Sequence, residues 1–237
     1  YIMKISNVLY INLNKRKDRL EHVKKELLKI GITGERFPAI ELKNGRLGCS
    51  MSHLKCIEMA KKRNWDHVFI CEDDITFMQP KIFLSQLEKF FKSGLKWDVV
   101  IVAGNNLPPY KKYGDFCIQV SHCQTTTGYI VRKSYYDVLT KNFKEGIEQL
   151  IRNQKDHLLY AIDRKWTELQ RKDKWFLIIP PTIIQMPDYS DIEGKHTDYI
   201  WHLTDINKTE FLKQKRLEFL KQKRLEFEKL KRKEKLK

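Results

Sequence analysis

Residues 67–75 read HVFICEDDI, a β-branched and aromatic run that closes in three consecutive acids, Glu72, Asp73 and Asp74. Four adjacent apolar residues without polar alternation suit a strand covered on both faces, the kind found in parallel sheets flanked by helices. The chain carries 46 Lys/Arg against 30 Asp/Glu, a net charge of +16, so three clustered acids stand out. Either they are a polar strand exit in which Asp73 or Asp74 caps the next turn, or their charge holds something positive.

The same alternation of strand and helix extends outward in both directions. Residues 7–13 (NVLYINL) form an earlier buried strand, and Leu20, Val23, Leu27 and Ile30 recur at helical spacing, with Asp18 near the start and Gly31 as the stop. A short segment at 36–40 and a turn at 45–48 (GRLG) follow, and then Leu54, Ile57 and Ala60 mark a helix capped by Ser50 or Ser52. After HVFICEDDI come a helical pattern at 82–91 and a third apolar strand at 97–103 (WDVVIVA). This order predicts an α/β fold with a mostly parallel central sheet. In such sheets ligands bind at the carboxyl ends of the strands. Asn12 and Asn14, Glu72 to Asp74, and Gly104-Asn105-Asn106 are therefore expected to converge on one rim. Farther on, 116–120, 128–131 and 176–179 read as strands, 158–169 as a helix, and 194–198 as loop.

A length of 237 residues with 41% hydrophobic content supports a real core and excludes disorder throughout. No apolar stretch approaches the roughly 18 to 20 residues of a membrane span, so the chain reads as cytoplasmic. Its five cysteines are odd in number and irregularly spaced, which fits reduced thiols, and Cys49-x-x-x-His53 lacks the second ligand pair of a structural zinc site. Half of the +16 lies in the last 30 residues, with 13 Lys/Arg against 5 Glu. There EFLKQKRL at 210–217 is repeated at 218–225. An eight-residue repeat overshoots two helical turns by about 80°, so Phe211, Phe219 and Phe227 spiral around the axis instead of forming a seam. The division expected is a domain over 1–207 and a basic, helix-prone extension over 208–237 that can contact anionic surfaces.

Carboxylates at a strand end are ligands that Mg²⁺ or Mn²⁺ prefers, and such ions commonly hold nucleotide diphosphates. Arg16 and Arg19 after the first strand add fixed positive charge suited to phosphate, although Arg16, Lys17 and Arg19 also read as the wet face of an amphipathic helix. His53 beside Ser52 reads equally as a core or capping histidine.

Taken together, Ile11-Asn12-Leu13-x-x-Arg16-x-Asp18-Arg19, Gly45-x-Leu47-Gly48-Cys49-x-x-Ser52-His53, Phe69-x-x-Glu72-Asp73-Asp74-Ile75 and Trp97-Asp98-Val99-Val100 resemble glycosyltransferase family 25. That family includes lipopolysaccharide sugar transferases and procollagen galactosyltransferases, and the similarity runs over about 8–196. The resemblance implies a GT-A-like fold and an inverting transfer of a hexose, galactose favoured over glucose, from a UDP-hexose. It also implies a divalent metal, Mn²⁺ or Mg²⁺, and as acceptor either collagen-type hydroxylysine or a glycan. Glu72-Asp73-Asp74 looks like the family's Asp-x-Asp motif, with Asp74 and Glu72 at the metal and Glu72 or Asp73 at the ribose or sugar. Asn12, Arg16 and Arg19 resemble the segment near the nucleotide, and Gly48, Ser52 and His53 belong to a block beneath the donor. Residues 127–131 are similar to the acceptor-side strand. Asp156, in a segment similar to a family Val-Asp-x-x-Leu element, is the leading general base, with Asp191 of the late Ser190-Asp191-Ile192 motif in reserve. Two other classes remain: a metal-dependent nuclease or phosphoryl-transfer enzyme on nucleic acid, which needs a second metal-holding carboxylate group, and a non-catalytic binding module.

Overall fold

The computed structural model describes residues 5–209, 212, 213, 215–221, 223 and 224. Two compact units are present, residues 1–206 and residues 207–237. In the first, β1 (Val8–Asn12), α1 (Lys17–Lys29), β2 (Glu35–Pro38), α2 (Gly45–Lys62) and β3 (His67–Glu72) lead to β4 (Ile75–Phe77), α3 (Pro80–Lys92) and β5 (Val99–Asn106). Then come β6 (Tyr110–Tyr113), β7 (Cys117–Val120), β8 (Cys123–Arg132), α4 (Tyr136–Arg152), α5 (His157–Tyr160), α6 (Ile162–Lys165) and α7 (Thr167–Gln170). The unit closes with β9 (Trp175–Ile178), β10 (Ile183–Gln185), β11 (Asp188–Ser190), β12 (Lys195–Thr197) and α8 (Ile200–Thr204).

An eight-stranded sheet in the order β2-β1-β3-β8-β5-β9-β7-β6 is the frame. Its two halves are parallel, β2-β1-β3 on one side and β5-β9 on the other. The expected mostly parallel sheet is present, interrupted by β8, which runs antiparallel between β3 and β5, and by β7, antiparallel to β9 and β6. The sheet is therefore mixed, with six of its strands running one way.

Because successive side chains of a strand point to opposite faces, each apolar strand serves two cores. Leu9, Ile11, Val68, Ile70, Val99 and Ile101 pack with Leu54, Ile57 and Ala60 of α2 and Leu139 and Phe143 of α4. Their alternates Val8, Tyr10, Phe69, Cys71, Val100 and Val102 pack with Val23 and Leu27 of α1 and Phe83, Leu87 and Phe90 of α3. That double duty explains why the central strands read as unbroken apolar runs.

Four local expectations are revised. The 45–48 segment is not a turn but the first turn of α2, capped by Asn44, whose side chain accepts from Leu47 N. Ser50 and Ser52 lie inside the helix and donate back to Arg46 O and Gly48 O, as mid-helix serines do. The helix read at 158–169 is broken into α5, α6 and α7, because Ala161 is extended (φ −55, ψ 145) and turns the chain so that Trp166 can donate to Cys123 O at 2.9 Å. The loop read at 194–198 is one arm of a hairpin, β11 paired with β12. Gly31 does end α1, at φ 69.

Among the described residues no helix is long and apolar enough to cross a membrane. In the second unit the described residues from 212 to 224 are helical, and much of the basic repeat, including Phe211 and Phe227, lies outside the described residues.

Candidate functional site

The acids of HVFICEDDI leave β3 beside the end of β1, since Ile11 pairs with Glu72 across the two parallel strands. This register brings Asn12, buried to 1% exposure, against Asp73, and its Nδ2 donates to Asp73 Oδ2 at 2.7 Å. The same Nδ2 donates to Arg16 O at 2.9 Å, which fixes the start of the β1–α1 connection. Arg36 completes the clamp by donating from Nε to Asn12 Oδ1 at 2.9 Å. Arg36 has no signal in the sequence; its role follows from the pairing of β1 with β2.

Arg19 then lies across the acids. Its Nη1 is 3.4 Å from Asp73 Oδ1 and 3.3 Å from Asp74 Oδ2, and its Nη2 donates to Tyr189 O at 3.0 Å. Arg16 is held by Asp188, by Asp18 and by Asp191, the last at 3.0 Å. Both arginines thus sit at the rim, but in this structure they are paired with protein carboxylates of the β11–β12 hairpin.

On the other flank Gly48 and Ser52 do structural work. A Cβ on Gly48 would lie 2.3 Å from Ile40 O, so only glycine lets α2 approach the segment after β2 this closely. Ser52 Oγ accepts from Ile40 N at 2.8 Å and ties the same segment down. His53, with no exposed surface, lies 3.3 Å by Nε2 from Glu72 Oε1 and 2.9 Å by Nδ1 from the Tyr129 hydroxyl. An ionised carboxylate only accepts, so Nε2 carries the proton that faces Glu72. Thr126 also donates to Glu72 Oε1.

These partners separate three neighbouring acids electrostatically. Burial, reinforced by the negative charge of Glu72, pushes the Asp74 carboxyl up to about 8. Burial also raises Asp73, against the opposing hydrogen bond from Asn12 and the charge of Arg19. For Glu72 burial acts upward as well, but His53 and Thr126 outweigh it and hold the group below the usual carboxylate range. Asp74 Oδ1 is buried and has no hydrogen-bond partner among the described residues. A buried carboxylate oxygen without a donor, beside a carboxylate that stays ionised, fits a hard divalent cation. A softer set lies alongside: Cys49, His53 and Glu72 bring a thiol, an imidazole nitrogen and a carboxylate oxygen within 4.8 Å of one another. Burial keeps the Cys49 thiol well above its ordinary range, so that ligand starts out protonated.

Two cavities open here. The first, about 190 Å³, is lined by Arg16, Arg19, Glu72, Asp73 and Asp74 and roofed by Ser190, Asp191 and Ile192 of the hairpin segment. The second, about 480 Å³, shares Cys49, Gln185, Ser190 and Ile192 with the first and extends past Asn105, Thr125 and Thr126 to Asp163. Asp191 borders the first cavity, but its carboxylate is 3.0 Å from both Lys15 and Arg16. Asp156 borders neither; its carboxylate accepts from Asn153 Nδ2 at 2.9 Å, beside the short α5. Asp163 was not singled out by the sequence, where an Ile-Asp-Arg-Lys stretch carries no distinguishing pattern.

No curated protein matches the chain by sequence. Among solved structures, a glycosyltransferase involved in glycosylation of the major capsid of the virus PBCV-1 is 11% identical, with TM-score 0.43, covering 85% of this chain and 90% of that one. A Drosophila β-1,4-galactosyltransferase 7 in complex with manganese, UDP-Gal and xylobiose is 12% identical, with TM-score 0.34, covering 57% and 52% respectively. At these scores they are loose likenesses. The sequence match is the more specific one: the model of glycosyltransferase family 25 (LPS biosynthesis protein) matches residues 41–158. That span runs from the segment clamped by Ser52, through α2 and the three acids, to β8 and α4. Over that span, the chain carries the sequence pattern of glycosyltransferase family 25.

Proposed function

We propose that this glycosyltransferase is a metal-dependent, inverting hexosyltransferase that uses a UDP-sugar, galactose favoured and glucose the alternative, and transfers to an acceptor hydroxyl. The observation that carries this reading is the Glu72-Asp73-Asp74 cluster at the carboxyl end of β3, with Asp73 and Asp74 buried, Asp74 Oδ1 unpartnered among the described residues, and Arg16 and Arg19 at the same rim.

Departure of UDP leaves positive charge on the anomeric carbon and negative charge on the diphosphate. Arg16 and Arg19 lie where that negative charge is to be stabilised. Glu72 and Asp74 would hold Mn²⁺ or Mg²⁺, which supplies Lewis-acid stabilisation of the leaving diphosphate when bound. Asp73, fixed by Asn12, faces the donor's ribose or sugar. Ser52 and Gly48 set the wall of the cavity, and His53 keeps Glu72 ionised.

A second metal-holding carboxylate group, as a two-metal nuclease requires, does not form from Asp188 and Asp191, because arginines and a lysine already pair with both. The acceptor hydroxyl belongs to a glycan or to collagen-type hydroxylysine.

The test is release of UDP from UDP-galactose and UDP-glucose with and without Mn²⁺, followed by transfer to simple glycosides and to hydroxylysine peptides. Metal-dependent turnover of one donor is expected. Turnover of neither, with or without metal, would refute the assignment.

A further inference from the structure

The donor-side acids leave one chemical duty unfilled. An inverting transfer needs a base on the acceptor side, and a base must lie within reach of the hydroxyl it deprotonates. Neither Asp156 nor Asp191 meets that need, the first because it borders neither cavity and the second because two cations neutralise it.

Asp163 sits on the wall of the 480 Å³ cavity, in α6. Its Oδ2 accepts from the backbone N–H of Thr125 at 3.2 Å, and no ion pair involves it among the described residues. Thr125 is at φ 72, a conformation that a β-branched residue adopts only when its surroundings impose it. That strained peptide aims its N–H at Asp163. The next residue, Thr126, donates to Glu72, so one short stretch of β8 holds the acceptor-side carboxylate with one residue and the donor-side carboxylate with the next.

The cavity wall carries a second, independent sign of a ligand. Asn105 Oδ1 and Thr125 Oγ1 are both buried and have no hydrogen-bond partner among the described residues. Buried polar atoms are nearly always satisfied, so two on one cavity wall point to a hydrogen-bonding occupant. At about 480 Å³ the space falls within the about 300–1,000 Å³ of small-molecule sites.

We infer that this cavity is the acceptor site and that Asp163 is the general base, taking the proton of a bound hydroxyl nucleophile, of which water is the smallest. This rests on the UDP-sugar reading above. In the step, the acceptor oxygen bonds to the anomeric carbon as the bond from that carbon to the diphosphate oxygen breaks. UDP leaves with the electron pair, and the hydroxyl proton passes to the Asp163 carboxylate and then to solvent. Burial raises the Asp163 carboxyl, which strengthens it as a base.

The experiment measures UDP release from the donor that wild type turns over, with water as acceptor, in Asp163→Asn and Asp163→Ala, alongside UDP binding and thermal unfolding. Asn keeps an acceptor for Thr125 N–H and so preserves the local fold. Hydrolysis is expected to fall about 100-fold or more in both variants, while UDP affinity stays within about threefold of wild type. Sodium azide, which attacks without losing a proton, is expected to restore turnover in Asp163→Ala and give the inverted glycosyl azide. Hydrolysis within about threefold of wild type overturns the assignment. So does a loss that azide leaves unrepaired, or a failure of both variants to fold, either of which makes Asp163 structural. Absence of turnover in wild type instead refutes the donor reading beneath it.

Discussion

Asp74 concentrates the physical tension of the site. Its folded-state pKa, about 8, lies far above the ordinary carboxylate value of 3.8, so between those limits the folded protein binds more protons than the unfolded chain. Stability should therefore fall as pH rises from about 4 towards about 8 and level off above, in metal-free buffer. Asp74→Asn removes that loss. Its melting temperature is expected to decline less than wild type between pH 5 and pH 8, by thermal unfolding in EDTA; parallel curves would show that Asp74 does not titrate in this window. Arg19 makes the complementary case. With its side chain 11% exposed it is the cation nearest the acids, and Arg19→Met leaves Asp73 and Asp74 without their guanidinium. A loss of about 1–3 kcal/mol is expected. Mn²⁺ should recover part of it by taking the vacated role, and an equal melting temperature with and without Mn²⁺ in this variant would argue against metal binding at these acids.

At the scale of elements, the approach of α2 to the segment after β2 depends on one missing side chain. Gly48→Ala places a Cβ 2.3 Å from a backbone oxygen, which cannot swing aside as a side chain could. Destabilisation of about 1–3 kcal/mol is expected, with a distorted first cavity because Ile40 and Glu41 line it. An unchanged denaturation midpoint would show that the helix shifts freely. The strands and helices that build this core were legible because their apolar periodicity is strong: β1, β3 and β5, and helices α1 and α3, fall where the pattern puts them. The antiparallel insertion of β8 was not, because a buried strand's composition does not record its direction. The start of α2 was misread because Gly-Arg-Leu-Gly looks like a turn until Asn44 is recognised as the cap. Within the site, Asn12, Arg16, Arg19 and the three acids were readable as a group, since they end strands or begin a helix on one rim. Arg36, Tyr129, Thr126 and Asp163 were not. Their contribution depends on which strand lies beside which, a property of topology and not of local sequence.

The charge of the chain is uneven: the last 30 residues carry half of the net +16. We propose that 1–207 folds and turns over donor alone and that 208–237 serves contact with anionic surfaces. Deleting 208–237 is then expected to leave the melting temperature and UDP release unchanged while reducing affinity for heparin and flattening its dependence on salt. Loss of folding on deletion, or unchanged heparin binding, would refute that division.

If the donor is the UDP-sugar proposed above, the β11–β12 hairpin governs how that anion enters. Asp188 and Asp191 occupy the arginines, and the first cavity, at about 190 Å³, is smaller than the about 300 Å³ at which small-molecule sites begin. The hairpin is thus a tethered counter-ion, and donor loading is an exchange of one anion for another. A tether keeps the resident carboxylates at high effective concentration, so dilute monovalent anions compete poorly and a diphosphate competes by its extra charge. On the UDP-sugar proposal, the same carboxylates are at hand after transfer to reclaim the arginines, which favours release of UDP. Amide hydrogens of 188–197 should accordingly exchange faster with UDP bound than without it, and equal rates would mean that the hairpin stays closed over the nucleotide.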